Sequence, residues 1–170
     1  MASLMEDLLD VLEKERQQYL ELSELGEKKR DVIIHNKIPE LQEITAQEQD
    51  SASVLANLAK RRTQVLTDMA TVLGKDPEEM TVLKMVGYLE GQPEEQEKLS
   101  AMREKLLEAG TRMALLNQQN QTLLKQAMEM VEFDLTLLKS MRQAPETANY
   151  NKDAYTTGDL LGGGGFDAKQ

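Results

Sequence analysis

The chain has 170 residues with no cysteine and no tryptophan, and its 20 basic against 30 acidic residues give a formal net charge of −10. That length suits one domain, the lack of cysteine excludes disulfides and thiol chemistry, and the acidic balance argues against general binding to nucleic acid or to an anionic membrane surface. Aromatic residues make up only 4 %, so the 40 % apolar fraction, carried by Leu, Ala, Val and Met, suits a narrow helical seam better than a broad core.

The first 73 residues read as helix. Apolar or large residues recur at Leu4, Leu8, Val11, Tyr19, Leu22 and Ile33, then at Leu41, Ile44, Leu55, Leu58, Val65 and Val72. These spacings, built from threes and fours, place them on one helical face. A first helix is expected from about Ser3 to His35, with Ser3 and Glu6 at capping-box spacing. Glu6, Asp7 and Asp10 favour its start, and Lys28, Lys29 and Arg30 favour its end.

A break follows at Asn36-Lys37-Ile38-Pro39, since proline lacks an amide hydrogen and belongs in a first helical turn. Asn36 is a candidate cap for the next helix, expected over residues 38–73. The break is compatible with a kink and with a full reversal.

Gly74 is a stop signal. Asp76-Pro77-Glu78-Glu79 then predicts a new start, followed by a short helix with Met80, Leu83 and Val86 on one side, ending between Gly87 and Gly91. Pro93-Glu94-Glu95 opens the last helix, expected over residues 93–143, which is roughly 75 Å if straight. Its seam reads Leu99, Met102, Leu106, Met113, Leu116, Leu123, Ala127, Met130, Val131, Leu135, Leu138 and Met141.

Two long helical arms and a short connector imply an all-α fold, an elongated antiparallel hairpin or bundle over residues 1–144. Residues 145–170 carry four consecutive glycines and few apolar side chains. They are expected to be a disordered tail.

Little in the sequence points to catalysis. His35 is the single histidine, and without cysteine a transition-metal site would rest on carboxylates alone, so neither metal nor cofactor is expected. Carboxylate pairs such as Glu78/Glu79 sit in helix starts rather than in a pocket that would separate their pKa values. The run of glycines at 162–165 lacks the Lys and Ser/Thr of a phosphate loop. The basic triplets Lys28-Lys29-Arg30 and Lys60-Arg61-Arg62 read as faces paired with neighbouring acids, a patch for an acidic partner being the alternative.

Methionine is the exception, at ten residues, five of them on the last helix. Flexible Met-rich faces suit partner binding, against ordinary core filling. The amides Asn117-Gln118-Gln119-Asn120-Gln121 interrupt the seam and are placed to set register or to loosen packing.

Several segments together carry a family likeness. Leu8-Leu9-Asp10-Val11-Leu12, Tyr19-Leu20-Glu21-Leu22, Glu27-Lys28-Lys29-Arg30, Ile38-Pro39-Glu40-Leu41-Gln42-Glu43-Ile44-Thr45 with Glu48, and Leu58-Ala59-Lys60-Arg61-Arg62 resemble FlgN-type flagellar export chaperones. The order of elements is similar too.

The resemblance implies a cytoplasmic chaperone that holds hook–filament junction proteins before type III export and docks on the export gate. The client segment would meet Leu123, Leu124, Met128, Met130, Val131, Leu135, Leu138 and Met141, and a docking tyrosine would be Tyr150 or Tyr155. No run reaches the ~20 apolar residues of a membrane span, and an acidic N-terminus is the reverse of a signal peptide.

The competing reading is a homo-oligomeric coiled-coil scaffold without a client. Glu15, Gly26, Asn120 and Asp134 at or near core positions count against a dedicated self-zipper. A homodimer fits either reading.

Overall fold

The computed structural model describes residues 1–143. Four helices and no strand occur among them: α1 (Ala2–Ile34), α2 (Ile38–Leu73), α3 (Val82–Tyr88) and α4 (Pro93–Gln143). The chain divides into two compact units at Leu123/Leu124. The first holds α1 to α3 and the larger part of α4, and it is taken first.

α1 begins earlier than Ser3. The Met1 carbonyl already accepts from the Met5 amide at 2.9 Å, so Met1 is the cap and Ser3 lies inside the helix without a capping bond. At its other end Asn36 takes a left-handed conformation, φ 54°. The Asn36 amide then donates to the Ile33 carbonyl at 3.3 Å and the Lys37 amide to Val32 at 3.1 Å. This is the Schellman ending, and asparagine is among the few non-glycine residues that tolerate it. Asn36 therefore closes α1 rather than capping α2, whose cap is Lys37 with Pro39 in the first turn.

The break is a full reversal. Ion pairs link Lys29 to Glu48 and Arg62 to Glu15, both at 2.9 Å, and Arg61 to Asp7 at 3.5 Å. Glu48 early in α2 meets Lys29 late in α1, whereas Arg61 and Arg62 late in α2 meet Asp7 and Glu15 early in α1, so the two helices are antiparallel. The basic triplets thus serve the hairpin, as acids of the facing helix meet members of both.

Gly74 ends α2 as its φ of 64° requires, with a second Schellman pair: the Lys75 amide donates to Ala70 at 2.9 Å and the Gly74 amide to Thr71 at 3.2 Å. The next helix starts later than Asp76 proposed. Asp76 Oδ1 accepts from the Glu78 amide at 2.9 Å, which makes an Asx turn instead of a helix. The working cap is Thr81, whose Oγ1 accepts from the Lys84 amide at 3.1 Å. The later start rotates the buried face of α3 to Met85 and Leu89 and leaves Leu83 exposed.

One core gathers these elements. Met5, Leu8 and Leu12 of α1 pack with Val65, Leu66, Met69 and Ala70 of α2, with Met80, Met85 and Leu89, and with Leu99 of α4. Gln96 Nε2 donates to the Val86 carbonyl at 2.9 Å, joining the first turn of α4 to the last of α3. Further along, α4 runs beside α1 in the same direction. Gly110 faces the Tyr19 ring, Arg112 pairs with Glu27 at 2.9 Å, and Asn120 Nδ2 donates to the Gly26 carbonyl at 2.8 Å.

Candidate functional site: the terminal face of α4

The second unit opens at Leu124 and contains the end of α4. Residues 124–143 carry no glycine, no proline and many of the straight-chain residues that lose little freedom in a helix, Leu, Met, Gln, Glu and Lys among them. The sequence therefore stays helical here without the apolar cover available to Leu99.

The expected client residues fall into two groups. Leu123, the last residue of the first unit, and Leu124, the first of the second, are half-buried. Met128, Met130, Val131, Leu135, Leu138 and Met141 are all more than half exposed, from 52 % at Leu135 to 68 % at Met141. The seam read from sequence is thus a core only in its first part, from Leu99 through the partly buried Met102 and Leu106.

The sequence reading missed Phe133, 66 % exposed, and Leu137, 48 % exposed. Both lie off a single three-and-four seam, yet Met130, Phe133, Leu137 and Met141 form a second run with steps of three, four and four. At 3.6 residues per turn, Leu124, Met128, Val131, Leu135 and Leu138 lie within roughly 80° of one another. The second run occupies a similar arc, and Asp134 stands between the two. Together the two arcs make about 160° of the helix apolar, more than the stripe of about 100° that a surface helix needs for its own core.

Local charge is balanced on this stretch, with Lys125, Lys139 and Arg142 against Glu129, Glu132 and Asp134. In a chain of net charge −10 this is a neutral island, which lowers the electrostatic cost of bringing another acidic chain close.

The remaining candidates sit elsewhere. His35 caps α1, where its Nδ1–H donates to the Asp31 carbonyl at 2.7 Å; a carbonyl only accepts, so the proton is on Nδ1. Among the described residues no group of three or more His, Cys, Asp or Glu is placed to hold a metal ion. Among them, too, no helix is long and apolar enough to cross a membrane. Tyr150 and Tyr155 lie outside the described residues.

The methionines divide by exposure. Met5, Met69, Met80 and Met85 fill the core, while Met128, Met130 and Met141 are exposed on α4. An all-helical fold whose last helix ends in an open, Met-rich apolar face is what a helical chaperone needs. The family model for FlgN protein matches residues 1–158.

The chain belongs to the FlgN family. FlgN proteins are a family of flagellar export chaperones, not a known family of enzymes. No curated protein and no solved structure matches the chain.

Proposed function

We propose that this FlgN-family chain is a cytoplasmic type III export chaperone that holds terminal helical segments of flagellar hook–filament junction proteins and delivers them to the export gate. The observation that carries the reading is the apolar end of α4, where six of the expected client residues stand more than half exposed. An amphipathic client helix laid on such a face buries its own apolar side and is kept from associating early, with no nucleotide required. Met128, Met130 and Met141 suit more than one client sequence, because a thioether chain repacks at small cost. Gate docking is assigned to Tyr150 or Tyr155, following the family resemblance.

The test is titration calorimetry of the full chain against purified terminal segments of junction proteins. Micromolar or tighter binding is expected for the native chain. With Val131→Asp and Leu138→Asp together it should weaken at least about a hundredfold, since two desolvated aliphatic contacts contribute roughly 1.5 kcal/mol each. Equal affinity of both chains would remove the client site from α4, and no binding by either would remove the junction proteins as clients.

A further inference from the structure

The two apolar runs differ in their spacing, and one of them is a coiled-coil seam. Leu124, Met128, Val131, Leu135 and Leu138 follow steps of four, three, four and three. That is the repeat of d and a positions through which two helices interlock. In this frame Lys125, Glu132 and Lys139 occupy e, and Ala127, Asp134 and Met141 occupy g. All five seam residues except Leu124 are exposed, and Leu124 is half-buried.

The flanking charges choose both the partner and its direction. In a parallel, in-register pair a g residue faces the e residue five places further along the other chain. Asp134 then meets Lys139 of the second copy, and symmetry supplies the same ion pair twice. An antiparallel pair centred between Val131 and Leu135 would oppose Lys125 with Lys139, Glu132 with Glu132 and Asp134 with Asp134, all like charges.

We propose that residues 124–142 associate with a second copy of this chain as a parallel, in-register two-stranded coil. Under three heptads is short, so the association is weak and reversible. Met130, Phe133 and Leu137 fall on the outer c and f positions of the same frame and stay open in the pair. Met128, Val131, Leu135 and Leu138 belong both to this seam and to the proposed client face, so a second copy and a client helix compete for them. Self-pairing stands on the seam and its charges, independently of whether junction proteins are the client.

Sedimentation equilibrium of the full chain over a wide concentration series, without any client, tests this. A monomer–dimer equilibrium is expected. Asp134→Lys and Lys139→Asp should each weaken it by about tenfold, because two attractive pairs become repulsive. The double variant, with the two charges exchanged, should recover native affinity. Both positions are exposed, so circular dichroism should show all variants equally helical. A monomer at every concentration overturns the proposal, as do charge changes without effect or a double variant that fails to recover. Tighter association of Lys139→Asp overturns it as well, since only the antiparallel pair gains from that change.

Discussion

Inside the α1–α2 hairpin, Glu15 is 2 % exposed and has Arg62 as its ion-pair partner at 2.9 Å. Burial raises the Glu15 pKa above its ordinary 4.5, and the Arg62 charge and hydrogen bond oppose the rise. Replacing Arg62 by Leu strands the carboxylate. The expected cost is about 2 kcal/mol, less than for a fully buried pair because Arg62 is one-third exposed, and adding Glu15→Leu should restore most of it.

The sign of the pH effect follows from the raised value. A carboxyl that is easier to protonate when folded stabilises the fold below its unfolded pKa, and that contribution is lost as pH rises through the folded value. Urea unfolding should therefore show Glu15→Gln gaining on the native chain between about pH 4 and pH 7.

The two helix-ending positions make a matched pair at the same scale. Gly74→Ala places a side chain at φ 64° and should cost about 1 kcal/mol by thermal unfolding. Asn36→Gly, at φ 54°, should change stability by no more than about 0.5 kcal/mol, because asparagine already tolerates the conformation.

Among the elements, α4 depends most on one polar residue. Asn120 is buried, and its Nδ2 donates to the Gly26 carbonyl, while its Oδ1 and the buried Ser23 Oγ have no partner among the described residues. A helix side-chain amide bonding the backbone of a neighbouring helix fixes how far one slides along the other. Asn120→Ala should cost about 1 kcal/mol and broaden the unfolding transition.

The same residue shows how far sequence could be read. The amide run was visible as an interruption of the seam, but which amide turns inward depends on the phase of α4 against α1, and a single chain's pattern does not carry that. Helix extents were legible because glycine, proline and the apolar period mark them. The caps were less so. Ser3 lost to Met1, and Asp76 lost to Thr81, because an Asx turn and a capping box begin with the same residues. That later start also turned Leu83 outward in favour of Met85. On the terminal face, Phe133 and Leu137 stand off the three-and-four stripe that marks the other exposed residues, and they belong to a second run.

At the scale of the whole molecule, every residue of the main core lies between Met5 and Leu99. A chain ending at Leu123 should therefore keep the thermal midpoint of the full chain within a few degrees, while losing the helical signal of residues 124–143. If that truncation melts much earlier, the core draws support from beyond Leu123.

The division of the methionines has a chemical consequence. Thioethers open to solvent are oxidised to sulfoxides, and the product is polar and chiral where the parent was flexible and apolar. Met128, Met130 and Met141 are 58–68 % exposed, above Met1 at 39 %, whereas Met5, Met69, Met80 and Met85 are enclosed. Mild peroxide should add oxygen to the end of α4 first, so that the chain keeps its fold while its apolar face turns hydrophilic. Partner binding would then report oxidative stress well before stability does, and methionine sulfoxide reductases would restore it.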